Sequence, residues 1–197
     1  MAKKALSNIF LSASIPLKNR DAKYYETADI IAIRDAVIAL ATAILPKHKL
    51  IWGGHPSITP LIYFVIQKLG LDIQEHLTIY QSLYFEEKFP EDNNKFENVL
   101  LTDNLGTEEL SVLHMRQRMF SENKFTAGVF IGGMEGLEVE FKMFRESYNN
   151  ALLLPIASTG AAARLMYDNL NADKKNERML NDYGYLSLFQ ELLLEKL

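Results

Sequence analysis

A single three-layer α/β domain, with a mostly parallel central sheet and helices on both faces, is the fold class this sequence predicts. Three observations lead there. Short apolar runs alternate with longer stretches of helical periodicity along nearly the whole chain. The runs are continuous rather than alternating, as strands buried on both faces must be. The length of 197 residues, 48% of them apolar, suits one domain over positions 1–197 with a sizeable core.

The elements follow in order. Ile9–Ala13 predicts a buried strand, with a polar loop over Ser14–Arg20. Tyr24–Leu45 predicts one long helix, its apolar face set by Ile30, Ile33, Val37, Leu40, Ala41 and Ile44, stopped by Pro46. Leu50–Trp52 is a second strand, closed by Gly53-Gly54-His55-Pro56. Thr59–Leu69 is a helix with Pro60 in its first turn and Gly70 at its end. Leu77–Tyr84 is a third strand, and the charged stretch Phe85–Asn98, with Pro90, a surface loop. Val99–Thr102 is a short fourth strand. Thr107–Phe120 is a helix whose Thr107-Glu108-Glu109 supplies a cap and negative charge to its N-terminus. Val129–Ile131 runs into the glycine turn Gly132–Gly136, and a helix follows from Leu137 to Ser147. Ala151–Ile156 is another strand and Ser158–Leu170 another helix. Asn171–Arg178 reads as a charged linker to a last helix, Tyr185–Leu193, whose apolar stripe is core packing.

Composition removes several classes of function. With 21 basic against 25 acidic residues the net charge is −4, so no broad cationic face is expected and nucleic acid is not a predicted partner. Cysteine is absent, which excludes disulfides and thiolate metal sites. His48, His55, His76 and His114 include no pair at helical ligand spacing, so no metal site is expected. The N-terminal apolar run is too short for a secretory signal, and the longest apolar stretch, Val37–Leu45, is about half of a bilayer span. No membrane association and a cytoplasmic location are the expectation.

Residues 127–140, Ala-Gly-Val-Phe-Ile-Gly-Gly-Met-Glu-Gly-Leu-Glu-Val-Glu, carry the strongest functional signal. Strand, glycine turn and helix in succession aim backbone N–H groups and a helix dipole at an anion. Glycine lets the backbone turn sharply and approach a ligand closely. Ligands of parallel sheets sit at the carboxyl ends of strands. Four turns converge there: Ser12–Ser14, Gly53–Ser57, Gly132–Gly136 and Ala157–Gly160.

Together these motifs resemble the SLOG superfamily, which groups the LOG-type phosphoribohydrolases, the Smf/DprA DNA-processing proteins and nucleotide-sensing domains. The LOG pattern is an arginine-lysine pair on a helix, then a strand, then a Pro-Gly-Gly-x-Gly-Thr-x-x-Glu turn. Here Met115-Arg116-Gln117-Arg118-Met119 precedes the strand, and Gly132-Gly133-Met134-Glu135-Gly136-Leu137-Glu138-Val139-Glu140 follows it. Phe10-Leu11-Ser12-Ala13-Ser14 is similar to the family's first-strand phosphate loop, and Ile51–Pro56 to its second-strand Gly-Gly loop. The chain departs from the pattern at Ile131 for the proline, Leu137 for the threonine and Gln117 for the lysine, and it inserts Glu135. These departures make it more similar to the branch found beside TIR and Sir2 effectors in bacterial antiphage systems, the STALD-type domains, which sense ADP-ribose-type signals.

The resemblance implies a Rossmann-like fold and a nucleotide-derived ligand, with no cofactor. It implies a TIR or Sir2 effector as partner and a homodimer or higher homo-oligomer. The expected ligand-binding residues are Ser12, Ser14, Gly53, Gly54, His55, Arg116, Gly132, Gly133, Met134, Glu135, Gly136, Glu140, Ser158, Thr159 and Gly160. Arg116 offers a planar fork to phosphate, and Glu140 a carboxylate to ribose. If the chain is instead a LOG-type hydrolase of nucleoside 5′-monophosphates, Arg116 and Glu140 are its catalytic pair. Taken as a lone helix residue, Arg116 would pair with Glu109 or Glu122. Arg118 faces another side, with a solvated or structural role, and Glu138 is read as solvated. The Ser158–Gly160 turn doubles as a helix N-cap.

Overall fold

The computed structural model describes residues 6–70, 74–89 and 91–197. Pro90 and the first five residues, read above as loop and as non-signal, lie outside that range. Six strands make one sheet: β1 (Asn8–Ser14), β2 (Lys49–Trp52), β3 (Leu77–Ser82), β4 (Val99–Thr102), β5 (Phe125–Gly132) and β6 (Leu152–Ile156). Their order is β4-β3-β2-β1-β5-β6, and every neighbouring pair is parallel. The mostly parallel sheet expected from sequence is here wholly parallel. The chain steps outward from β1 to β4, then crosses back to lay β5 against the free side of β1. That reversal opens a crevice at the carboxyl ends of β1 and β5, where Ser14 and Gly132 are paired in register.

Eight α-helices surround the sheet among the described residues: α1 (Ala22–Tyr25), α2 (Ile30–Ile44), α3 (Thr59–Leu69), α4 (Glu108–Glu122), α5 (Glu135–Ser147), α6 (Ala161–Asp168), α7 (Glu177–Asn181) and α8 (Tyr185–Leu192). On one face α4 and α5 close over an aromatic cluster in which Phe10 of β1 meets Phe120, Phe125, Phe130 and Phe144, with centroids 5.0–5.7 Å apart. Gly128 makes this possible, because a Cβ there would stand 2.8 Å from the Phe144 ring. On the other face α2 packs against β1, β2 and β5 and is flanked by α3 and α8. The stripe Tyr185, Leu188, Phe189, Leu192 and Leu193 is buried against it, as core packing requires.

Three elements differ from the sequence reading. The long helix over Tyr24–Leu45 is broken into α1 and α2, with Asp29 capping α2 through a 2.9 Å bond from the Ala32 N–H. The third strand ends at Ser82, and two 3-10 turns, Leu83–Lys88 and Glu91–Lys95, replace an open loop. The charged stretch after Leu170 contains a 3-10 turn and the start of α7, and Arg178 ties it to Asp182 at 2.6 Å and Glu191 at 2.5 Å. No helix among the described residues is long and apolar enough to cross a membrane.

Candidate functional site

The carboxyl ends of β1, β2 and β3, the end of β5 through Met134, and one flank of α4 enclose a cavity of about 750 Å³. Its wall contains Ser12, Ser14, Gly53, Gly54, His55, Arg116, Met134, Glu135, Gly136 and Glu140. The topology explains why residues this distant in sequence meet, since parallel strands deliver all their following turns to one edge of the sheet.

At the floor of the cavity three side chains interlock. Arg116 Nε donates to Glu140 Oε1 at 2.9 Å, and Ser12 Oγ donates to Glu140 Oε2 at 2.5 Å. Arg116 Nη2 donates to the Gly136 carbonyl at 3.2 Å. The two charged side chains are each only 14% exposed. Gly136 admits the guanidinium, because a Cβ at that position would lie 3.1 Å from Arg116 Nη2. Arg116 faces α5, not Glu109 or Glu122. Its remaining N–H groups have no acceptor among the described residues and are free for a ligand. Arg118 turns away to Glu122 at 2.7 Å and to the Leu101 carbonyl, a structural role. Glu138 sits at the surface, 40% exposed, and accepts from the Tyr24 hydroxyl at 3.1 Å.

The glycine turn divides its N–H groups between fold and cavity. Gly132 N–H donates to Thr159 Oγ1 at 2.9 Å, and Gly133 N–H to the Ser14 carbonyl at 2.9 Å. Both glycines have positive φ, +59° and +83°, and a Cβ at Gly132 would come 2.9 Å from the Ser14 carbonyl oxygen. They therefore hold the turn from behind and stand outside the cavity wall. The residues that reach the cavity come next in the chain. Met134 stands at the N-cap position of α5 without a side-chain cap bond, and Met134, Glu135 and Gly136 line the cavity where the helix start leaves N–H groups unpaired within the helix. Beside them the Ser14 hydroxyl, on a residue 4% exposed and in the cavity wall, has no hydrogen-bond partner among the described residues. Glu135 reaches outward to Arg20, at 3.0 Å.

Ser158, Thr159 and Gly160 also stand behind the turn. Ser158 Oγ donates to the Asp182 carbonyl at 2.9 Å and lies 3.1 Å from the Tyr185 hydroxyl. Thr159 Oγ1 donates to the Ile156 carbonyl and accepts from Gly132. The N-cap expected of this segment is not formed. α6 starts at Ala161 behind Gly160, and Thr27 Oγ1, from the break between α1 and α2, accepts the Ala161 N–H at 3.0 Å. The hydroxyls of 158 and 159 are already used by the core, which leaves none to cap.

His55 Nδ1 accepts from the Ser57 N–H at 3.2 Å, which places the proton of the neutral ring on Nε2. Burial holds its pKa below the ordinary histidine value. Gln81 closes the β3 side, its amide donating to the Gly54 carbonyl at 3.1 Å and its oxygen accepting from Asn93. The rest of the wall is largely apolar: Trp52, Phe85, Phe89, Val112, Leu113 and Met115. Arg20, Lys88, Glu108 and Glu109 add charge at the wall. Sequence reasoning missed Arg20, Phe85, Phe89 and Lys88, because they lie in or beside irregular connections and the short 3-10 turn Leu83–Lys88, none of which leaves a periodic signal. Among the described residues no group of three or more His, Asp or Glu side chains is placed to hold a metal ion.

Fold and site define a Rossmann-like α/β domain with a ligand-sized cleft at its topological switch point. The model of the SLOG cluster3 family matches residues 23–193, and the chain belongs to that family. Among solved structures, it is similar to the X-ray structure of TM1055, a structural genomics target. That likeness has a TM-score of 0.58 at 14% identity and covers 88% of this chain and 89% of the other, a likeness of fold. No curated protein matches the sequence.

Proposed function

We propose that this SLOG domain binds a nucleotide signal of the ADP-ribose or cyclic ADP-ribose type and senses it without hydrolysis. The observation that carries the reading is the Ser12–Glu140–Arg116 cluster at the floor of a cavity beside the uncapped start of α5. Free N–H groups and a guanidinium with spare donors suit phosphate. A carboxylate locked at both oxygens by Ser12 and Arg116 suits acceptance from ribose hydroxyls better than a change of protonation state during a reaction. The volume of about 750 Å³ falls in the upper part of the usual range for small-molecule sites, roughly 300–1,000 Å³, and leaves room beyond a nucleoside monophosphate. The apolar wall formed by Phe85, Phe89 and Leu113 would receive the base.

In this reading the domain is a STALD-type sensor in cytoplasmic antiphage signalling. It passes the binding event to a TIR or Sir2 effector or through its own homo-oligomer. The support is the resemblance stated above together with the substitutions Leu137, Gln117 and Ile131 at hydrolase positions.

One observation favours a second reading. Arg116 and Glu140, the pair that LOG-type hydrolysis would use, do meet in the cavity. A carboxylate near C1′ would stabilise an oxocarbenium-like transition state. Titration with AMP, NAD, ADP-ribose and cyclic ADP-ribose isomers, followed by chromatography of each mixture, separates the two. Heat without new products supports sensing, and free base from AMP, lost in Glu140→Gln, supports hydrolysis.

A further inference from the structure

Resting on the nucleotide reading above, we infer that Arg20 is an anion-recognition residue of this site and that Glu135 is a built-in competitor which a ligand phosphate must displace. Neither residue is needed to explain the fold. Their ion pair, 3.0 Å from Arg20 Nη1 to Glu135 Oε1, is half exposed at both ends, 51% and 55%. Both residues line the cavity. Glu135 is the first residue of α5, so its carboxylate starts beside the N–H groups that an anion would seek. The Ser14 hydroxyl, buried and unpartnered among the described residues, faces the same cavity and gives that anion a donor independent of the helix end.

The charges set the direction of the effect. Arg116 is tied to Glu140 and Arg20 to Glu135, which leaves Lys88 against Glu108 and Glu109 among the charged residues of the wall. A phosphate entering an unchanged site meets a surplus of carboxylate. If Arg20 turns from Glu135 to the phosphate, the exposed pair, which contributes little to stability, is exchanged for a charge-assisted contact. Glu135 then swings to solvent. The inserted residue thus sets a threshold on binding and favours ligands with enough negative charge to take Arg20 away.

The test is calorimetric titration of the full chain with ADP-ribose, AMP and adenosine, in the wild type and in Glu135→Gln, Arg20→Ala, Ser14→Ala and the Arg20→Ala/Glu135→Gln double variant. Glu135→Gln is expected to tighten ADP-ribose about fivefold and Arg20→Ala to weaken it about tenfold. Ser14→Ala weakens it severalfold. In the double variant the gain from Glu135→Gln shrinks, because the freed arginine is absent, and adenosine is indifferent to all four. ADP-ribose affinities that do not change across the variants, or a loss in Glu135→Gln, overturn the inference while leaving nucleotide binding intact. Binding of none of the three probes by any variant overturns both.

Discussion

Arg116 and Glu140, 24 residues apart and on different helices, meet at 2.9 Å with only 14% of each side chain exposed. A pair this sheltered is costly to break from one side, because the survivor keeps a buried charge without a partner. Glu140→Ala is expected to destabilise the domain by about 3 kcal/mol. Glu140→Gln, which keeps an acceptor for Arg116, is expected to cost about 1 kcal/mol. Urea unfolding of the two variants checks the order, and equal losses would show that the lost charge, not the lost acceptor, sets the cost.

The glycine turn makes a second prediction. Gly132 combines φ of +59° with a close approach to the Ser14 carbonyl oxygen and to Ile33. Gly132→Ala is expected to lower stability by about 2 kcal/mol or more, and to weaken ligand binding through the displaced start of α5. Thermal unfolding measures the first and titration the second. A neutral substitution would mean that the turn relaxes freely.

His55 makes the cavity sensitive to acid. Burial lowers its folded-state pKa below the ordinary 6.5, so the unfolded chain takes up the proton first as pH falls. The stability this contributes is complete above pH 6.5 and is lost as pH falls from there toward the folded-state value. A His55→Gln variant is expected to flatten the stability profile over that window in denaturant titrations at several pH values.

Tyr185 acts at the other end of the scale. Burial raises its pKa from 10 to about 12, against the lowering effect of the hydrogen bond with the Ser158 hydroxyl. Between pH 10 and 12 the unfolded chain is ionised there and the folded chain is not, so stability falls as pH rises, by roughly 2–3 kcal/mol across the window. Tyr185→Phe is expected to remove that part of the alkaline loss. An unchanged alkaline profile would place the loss on other groups, Tyr80 first, whose pKa burial also raises to about 12.

Much of the fold was legible because parallel strands buried on both faces leave continuous apolar runs, and Gly70 and Thr107 mark helix ends locally. The break before α2 was not. Ile30 and Ile31 continue a helical pattern, but residues far along the chain stop the helix. Asp29 N–H bonds the Thr159 carbonyl, and Thr27 caps the start of α6. The site divides in the same way. Ser12, Ser14, Arg116 and Glu140 were readable as motif residues, and they reach the cavity. Ser158 and Thr159 sit in a matching turn, yet their hydroxyls serve Asp182, Ile156 and Gly132. The partner of a hydroxyl depends on tertiary neighbours, which the spacing of residues does not encode.

The most direct measurement is titration of the full chain with ADP-ribose, beside AMP with chromatography of the products, in the wild type and in Arg116→Lys. That variant keeps a cation for Glu140 but loses the planar fork. The account predicts binding without release of free base, weakened at least tenfold in Arg116→Lys while the fold is retained. Free base from AMP, or ADP-ribose affinity untouched by Arg116→Lys, would contradict it.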